Sequence, residues 1–218
     1  MINIVCVLRQ GGKVGYDATW VDKLHNNIKR NVTLPFRFVC LSDCEVNCER
    51  VPLISSDPGY WAKLELFREN LFDGPVLFFD LDTLICNNID QLINRLIDQD
   101  TFVMWKDTDY NISSSAIMYW NGDYSKIYNE YIKDPAHYQN RYSQENQGPS
   151  RLVGDQAVIS SLVPHTFIND LCPKEWIHIA SKRDASLDLS ETRILIFRKT
   201  HSKPSTLTGH QLVKEHWK

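Results

Sequence analysis

An apolar run that ends at once in two carboxylates is the feature that most constrains this chain. Residues 76–79 are apolar, and Asp80 and Asp82 follow with one leucine between them. Side chains two residues apart in an extended chain point to the same face, so both carboxylates are expected at the end of one buried strand. Two carboxylates at one spot repel each other unless a cation joins them, and magnesium or manganese suits such ligands. The sequence therefore predicts a divalent-metal site.

Strand and helix patterns alternate along the first hundred residues. The predicted strands cover residues 3–8, 36–41 and 76–79. Apolar residues at helical spacing predict helices over residues 20–28, 60–71 and 89–97. This alternation implies a doubly wound α/β sheet with parallel strands, and such sheets bind ligands beyond the carboxyl ends of their strands. Asp80 and Asp82 lie at such an end.

The second half of the chain has a different character. Further strands are predicted over residues 102–105, 116–120 and 194–197. Further helices are predicted over residues 124–132 and 156–162. Residues 134–153 are polar and contain Pro135, Gly148 and Pro149, which predicts a long loop. With no internal repeat, we expect a single domain over residues 1–218.

Composition excludes two kinds of partner. The net charge of −3 argues against nucleic acid, because binding a phosphate backbone needs concentrated positive charge. No apolar run approaches the roughly 20 residues of a membrane span. We therefore expect a cytoplasmic protein whose six cysteines are free thiols.

Two unrelated enzyme types place paired aspartates after a buried strand. The sequence FFDLDTL, residues 78–84, resembles the first motif of the haloacid dehalogenase phosphatases, hhhDxDGT, but it lacks the glycine. That motif normally lies on the first strand, whereas about eighty residues precede it here. Those phosphatases also need a distal acidic pair, and no acidic residue closely follows Asp155. A phosphatase is therefore the weaker of the two interpretations.

The other type accounts for more of the chain. The sequence resembles the GT-A fold glycosyltransferases related to glycogenin and to bacterial lipopolysaccharide galactosyltransferases, and also a sugar-transferase domain of chlorella viruses. The matching elements, in order, are residues 5–16, 60–67, 80–82, 113–120, 154–156, 181–182 and 203–204. The resemblance implies a GT-A, Rossmann-like mixed sheet flanked by helices. It also implies a nucleotide-binding half, residues 1–100, and an acceptor-binding half, residues 101–218.

The resemblance implies a role for each candidate site residue. Mn²⁺ or Mg²⁺ would be held by Asp80, Asp82 and His201. Catalytic roles beside the donor sugar fall to Asp155 and Gln156. The donor-binding residues would be Arg9 and Tyr16 around the base, Lys63, Asp80 and Lys203 around the phosphates, and Ser114 beside the sugar. Asp82 is expected to be exposed and to contribute little to the core.

The chain departs from the family pattern at two places. The family motif FHGxxKP is FRKTHSKP here, over residues 197–204, so the histidine is displaced and the glycine is missing. Ser114 stands where the family has an asparagine. These departures concern the third metal ligand and one contact to the donor sugar.

The implied activity is the transfer of a hexose or deoxyhexose from a UDP-sugar to a glycan or glycoprotein acceptor. The resemblance implies that the anomeric configuration is retained, and, for a viral chain, that the reaction takes place in the host cytoplasm. Two alternatives stay open at this point. One is the phosphatase, and the other is a module that binds nucleotide sugars without turnover.

Overall fold

The computed structural model describes residues 1–11, 14–147, 152–180, 190–198 and 203–218. The elements before residue 108 are β1 (Ile2–Leu8), α1 (Ala18–Asn31), β2 (Phe36–Ser42), β3 (Glu49–Pro52), a 3₁₀ helix (Gly59–Phe67), β4 (Val76–Phe79), β5 (Leu84–Ile85), α2 (Asp90–Ile97) and β6 (Phe102–Asp107). The later elements are β7 (Ile112–Trp120), α3 (Lys126–Tyr131), α4 (Pro135–Arg141), α5 (Gln144–Gln147), α6 (Gly154–Leu162), β8 (His165–Phe167), two short 3₁₀ helices (Ile168–Asp170 and Lys174–Trp176), β9 (Ile177–Ile179), β10 (Ile194–Ile196) and α7 (Gln211–His216).

A seven-stranded sheet with the order β3-β2-β1-β4-β7-β6-β8 forms the centre of the molecule. Strands β3, β2, β1 and β4 run parallel, as the alternation of strand and helix patterns predicts. Strand β7 is antiparallel to both β4 and β6, and β8 pairs with β6 in parallel. The predicted mixed α/β sheet is therefore confirmed. Strand β4, which precedes the paired aspartates, is its middle strand.

Alternating side chains divide the core into two layers. On one face of β1, Ile4, Cys6 and Leu8 pack with buried residues of α1 and α2. On the other face, Val5 packs with the 3₁₀ helix Gly59–Phe67, α3 and α6. Removal of this apolar surface from water is the main term that stabilises the fold, and helices cover both faces because both are apolar.

A second, three-stranded sheet with the order β5-β10-β9 lies next to the turn that contains the paired aspartates. Its strand β5 begins two residues after Asp82, and β10 pairs antiparallel to it. Cys86 N donates a hydrogen bond to Arg193 O at 2.7 Å, which continues this pairing. The small sheet therefore brings the C-terminal part of the chain beside the carboxylate pair.

The predicted loop over residues 134–153 is wrong over residues 135–147, and residues 148–151 lie outside the described part of the chain. Helices α4 and α5 lie within it. Pro135 marks the start of α4 rather than a loop, since proline is favoured at the first helical position, where the missing N–H needs no partner. Asp134 caps the helix by accepting a hydrogen bond from His137 N at 2.9 Å.

Two further expectations change in detail. The predicted helix over residues 60–71 is a 3₁₀ helix that ends at Phe67, and Arg68 after it has an extended backbone. The polar segment after β2 contains the edge strand β3. The other predicted helices and strands are present with ends shifted by a few residues. Strands β5, β8 and β9 have only two or three residues, which is too short for a periodic pattern to show.

The structure bears on two expectations from composition, the free cysteines and the membrane spans. All six cysteines are free thiols, and Cys6, Cys40 and Cys86 are buried. No helix in the described part of the chain is both long enough and apolar enough to cross a membrane. The cytoplasmic location stays a prediction.

Helix α6 begins at a glycine for two separate reasons. Gly154 has a φ of +68°, which is a left-handed conformation that favours glycine. A Cβ atom at this position would also lie 2.4 Å from Cε2 of Tyr60. The ring of Tyr60 therefore lies against the first residue of α6, where any larger residue would displace it.

We expect Gly154→Ala to destabilise the fold by about 2–4 kcal/mol, of which about 1 kcal/mol comes from the backbone and the rest from the collision with Tyr60. Urea denaturation measures this free energy. Gly15→Ala, at a φ of +71° with nothing near the added Cβ, isolates the backbone term. Gly209→Ala has neither problem and should cost less than about 0.5 kcal/mol. Equal losses for Gly154→Ala and Gly15→Ala would contradict the predicted collision.

Candidate active site

A cavity of about 990 Å³ opens beyond the carboxyl ends of β1 and β4. Its wall contains all the sequence-predicted site residues that the structure describes: Arg9, Tyr16, Lys63, Asp80, Asp82, Ser114, Asp155, Gln156 and Lys203. His201 lies outside the described residues. The structure therefore brings together side chains that are up to 194 residues apart, from Arg9 to Lys203. Their individual roles stay predictions.

Lys63 lies on the 3₁₀ helix and joins two carboxylates from different elements. Its Nζ is 2.7 Å from Oδ1 of Asp80, which follows β4, and 3.5 Å from Oδ2 of Asp155, at the start of α6. It also donates a hydrogen bond to Oγ of Ser115 in β7 at 3.3 Å. The Lys63 side chain is only 14% exposed. One ammonium group therefore connects three elements, and the carboxylates compensate its loss of water.

Asp82 is buried, so the expectation of an exposed carboxylate is wrong. Only 4% of the residue is accessible to solvent. Its Oδ2 accepts a hydrogen bond from the Tyr16 hydroxyl at 2.8 Å and another from Nζ of Lys203. Lys203 also donates to the Phe197 carbonyl at 3.3 Å. Residues of the C-terminal part of the chain thus cover Asp82, which sequence alone does not show.

The charges in the cavity affect one another strongly. Burial raises the pKa of Asp80 to about 6, because the attraction of Lys63 offsets burial only in part and Asp82 adds repulsion. Burial alone would lower the pKa of Lys63. The attraction of Asp155 and Asp80 is stronger than this effect, so the pKa of Lys63 lies above its ordinary value. Burial and then Asp82 raise the pKa of Tyr16 far above its ordinary value. Tyr16 is therefore a neutral donor beside a site with excess negative charge.

Arg9 lies near a buried carboxylate that the sequence analysis missed, that of Glu65. Arg9 donates to the Ser55 carbonyl at 2.6 Å and pairs with Asp43 at 3.3 Å. Glu65, 1% exposed, accepts hydrogen bonds from the backbone N–H groups of Ile54 and Ser55, both at 2.9 Å. Its Oε1 lies 4.0 Å from Arg9. A single acid within the apolar stretch LELF is the signal that indicates such a paired, buried carboxylate.

Two consecutive serines of β7 line the cavity. The register between β6 and β7 shifts between Met104 and Trp105, and a bulge of this kind re-aims side chains. Ser114 Oγ accepts a hydrogen bond from a backbone N–H of its own strand, whereas Ser115 contacts Lys63. Ser115 was missed, since strict alternation along a strand would place only one of the two in the site.

Arg198 pairs with both carboxylates of a second Asp-x-Asp triplet, residues 107–109, at the edge of the cavity. Its Nη1 lies 3.0 Å and 2.9 Å from the two carboxylate oxygens of Asp107, and its Nη2 contacts Asp109. Asp107 is 4% exposed. The sequence analysis missed this pair, although Arg198 follows Phe197 at the place of the family histidine. The arginine ties the C-terminal part of the chain to the end of β6.

The described residues supply two carboxylates for a metal ion, Asp80 and Asp82. No group of three or more His, Cys, Asp or Glu side chains in the described part of the chain is arranged to hold a metal. Magnesium in proteins is commonly bound by one or two carboxylates together with substrate phosphates and water. The pair therefore fits an ion that a diphosphate completes. Lys63 and Lys203 already contact these carboxylates and would share them with the ion.

Comparison with known proteins shows the fold. No family model matches the chain, and no curated protein sequence matches it. The structure is similar to that of the galactosyltransferase LgtC in complex with donor and acceptor sugar analogs, with a TM-score of 0.54 and 12% identity, over 99% of this chain and 96% of that chain. It is also similar to the glycosyltransferase GlyE of Streptococcus pneumoniae TIGR4, with a TM-score of 0.62 and 12% identity, over 94% of this chain and 56% of that chain.

The bifunctional glycosyltransferase WbbM matches 93% of this chain with 46% of its own length, at a TM-score of 0.54 and 12% identity. The chain therefore spans about half the length of GlyE and WbbM and nearly all of LgtC. These similarities establish the GT-A fold of the glycosyltransferases, as the sequence resemblance implies. The resemblances to glycogenin and to the chlorella-virus domain stay predictions.

We expect Glu65→Gln to destabilise the protein by about 2–4 kcal/mol, because a buried charged acceptor with several donors is lost. Thermal and urea denaturation measure this change. Glu130→Gln is the matched control, since Glu130 is 42% exposed and pairs with Lys133 three residues on. It should cost less than about 0.5 kcal/mol. Equal effects of the two substitutions would show that Glu65 does not hold the loop of Ile54 and Ser55.

Proposed function

We propose that the chain is a metal-dependent glycosyltransferase that moves a hexose or deoxyhexose from a UDP-sugar to a glycan or glycoprotein acceptor with retention of configuration. The observation that supports this most is the meeting of Asp80, Asp82, Lys63 and Lys203 in one cavity at the carboxyl edge of a GT-A sheet. Its volume of about 990 Å³ lies at the upper end of ordinary ligand sites, as a nucleotide sugar requires.

The proposed reaction depends on stabilising the leaving nucleotide. A Mn²⁺ or Mg²⁺ ion held by Asp80 and Asp82, with His201 as the proposed third protein ligand, would neutralise the charge that develops on the diphosphate. Lys63 and Lys203 supply fixed positive charge beside the same carboxylates. Positive groups that are already in place cost no reorganisation when the bond to the sugar breaks.

The start of helix α6 is the proposed place of the donor sugar. Oδ2 of Asp155 is buried and accepts no hydrogen bond from the described residues, although Lys63 lies 3.5 Å away. A buried acceptor with this spare capacity suits a sugar hydroxyl. Gln156 follows it in the cavity wall, and Arg9 and Tyr16 are proposed to lie around the base.

The two alternatives differ in what they require. A dehalogenase-type phosphatase would use Asp80 as the nucleophile on a phosphate, but the fold is that of another class. A non-catalytic module would bind the same nucleotide sugar at the same groups. Turnover therefore distinguishes this module from the enzyme, and binding alone does not.

We expect UDP at about 100 times its dissociation constant to stabilise the protein by roughly 2.7 kcal/mol, or a rise in Tm of roughly 5–10 °C, only with Mn²⁺ or Mg²⁺ present. The reason is that an excess of carboxylate repels a diphosphate without the ion. A thermal-shift assay with EDTA and metal-only controls measures this. Asp82→Asn should abolish the metal-dependent rise, measured from its own Tm. The matched control is Asp100→Asn, since Asp100 is an exposed aspartate outside the cavity wall.

Equal stabilisation by UDP in EDTA would contradict the proposed metal dependence. Metal-dependent hydrolysis of p-nitrophenyl phosphate that Asp80→Asn abolishes would favour the phosphatase. A third outcome would favour the non-catalytic module. In that case UDP binds in a metal-dependent way, but no UDP is released from UDP-glucose, UDP-galactose or UDP-rhamnose with any sugar acceptor.

A further inference from the structure

Two tyrosines stand out among the exposed apolar side chains. Six large apolar residues of the described chain are more than a third exposed: Met1, Ile54, Tyr60, Ile97, Tyr110 and Ile132. Of these, Tyr60 and Tyr110 line the cavity, and both are aromatic. An exposed aromatic ring in the wall of a ligand-sized cavity offers apolar surface that a ligand can cover, so we take such a ring as a candidate contact surface.

One side of the Tyr60 ring packs against other residues. Its ring lies against Gly154, where a Cβ atom would approach to 2.4 Å, and its centroid is 5.4 Å from that of Trp61. Trp61 in turn stacks on Tyr131 at 5.9 Å with an interplanar angle of 8°, and Tyr138 of α4 lies 6.0 Å from Tyr131. The helix that was predicted as a loop thus supports the ring. A ring held in this way loses little conformational entropy when a ligand binds.

The groups beside Tyr60 are polar and deeper in the cavity. Tyr60 is 46% exposed, whereas the side chains of Lys63 and Asp155 are 14% and 6% exposed. Burial, and after it the charge of Asp155, raises the pKa of the Tyr60 phenol, with Lys63 acting in the opposite direction. The ring lies against Gly154, one residue before Asp155, which places it next to the proposed donor-sugar groups. Its greater exposure indicates that it faces solvent more than they do. A second ligand, entering after the donor, would meet Tyr60.

An aromatic face next to a carboxylate matches the chemistry of a pyranose ring. One face of such a sugar presents C–H groups that pack on an aromatic ring, while its hydroxyls donate to acceptors at the edge. Simple packing explains the rear of the Tyr60 ring, but not its exposed part in the cavity wall. Gly154 also stays small where a larger residue would displace this ring.

We propose that Tyr60 is a platform that binds the acceptor sugar by its apolar face and selects a pyranose acceptor over water. The inference rests on the proposed function, because it takes the deeper groups Lys63 and Asp155 as the donor side. Tyr60 is then a specificity-determining residue. The rings of Trp61, Tyr131 and Tyr138 pack behind it and support it.

The test measures sugar and nucleotide binding separately. The probes are lactose, maltose, methyl β-galactoside, methyl α-glucoside and methyl α-rhamnoside, titrated by calorimetry or saturation-transfer NMR with UDP and Mn²⁺ present. UDP is titrated alone with Mn²⁺ in the same variants. Tyr60→Ala should weaken the best-bound sugar roughly three- to tenfold and leave UDP binding unchanged. Tyr60→Phe keeps the ring and should stay within about twofold of the parent.

The matched control is Ile132→Ala, since Ile132 is 47% exposed and lies outside the cavity wall. It should change neither affinity. Unfolding curves establish whether Tyr60→Ala folds. If it does not, Tyr60→Leu, which keeps apolar bulk and removes the aromatic face, takes its place and should show the same loss of sugar affinity. Sugar binding that Tyr60→Ala leaves unchanged would overturn the platform, and so would an equal loss of UDP binding.

The failure of the proposed function gives a different pattern. If UDP binds and no sugar binds the parent, the platform is overturned while the nucleotide site stands. If a sugar binds in a Tyr60-dependent way without any UDP binding, the platform is supported and the UDP-sugar enzyme is not. If neither UDP nor any sugar binds, both proposals are overturned.

Discussion

Three carboxylates that share two lysines are the constraint on which the rest of the site depends. Asp80, Asp82 and Asp155 meet Lys63 and Lys203, which leaves a formal excess of one negative charge. Burying ionised groups is costly unless they are paired, so each lysine must reach its carboxylate for the fold to be stable. By charge count the compensation by the two lysines is therefore incomplete, and burial raises the pKa of Asp80 to about 6 in this setting. A divalent ion would complete it, which is the physical reason to expect one here.

This constraint explains the long-range organisation of the chain. Lys63 comes from a 3₁₀ helix before β4, and Lys203 comes from the far C-terminal part that the small β5-β10-β9 sheet brings back. Glu65 holds the loop before that helix, and Arg198 ties the C-terminal part to the end of β6. Buried ion pairs contribute little net stability, but losing one partner is costly, so these pairs specify where the separate segments meet.

The sequence predicts the parts that depend on local pattern. The apolar run before Asp80, the parallel strands and the helix around Leu24 follow from periodicity, and the order of the family motifs places most of the cavity residues. Contacts between segments that are distant in sequence produce no periodic pattern or motif from which they could be predicted. The burial of Asp82 under Lys203 and the pairing of Arg198 with Asp107 depend on the C-terminal return. The helix at Pro135 was missed because proline marks both loops and helix starts.

The central claim is that Asp80 and Asp82 hold a metal ion against a nucleoside diphosphate. A crystal structure with UDP and Mn²⁺, with anomalous scattering recorded at the manganese edge, tests it most directly. The account predicts one strong anomalous peak in contact with both carboxylates and with diphosphate oxygens, with Lys63 and Lys203 beside them. UDP bound without an anomalous peak at these carboxylates, or a peak at Asp107 and Asp109 instead, would contradict it.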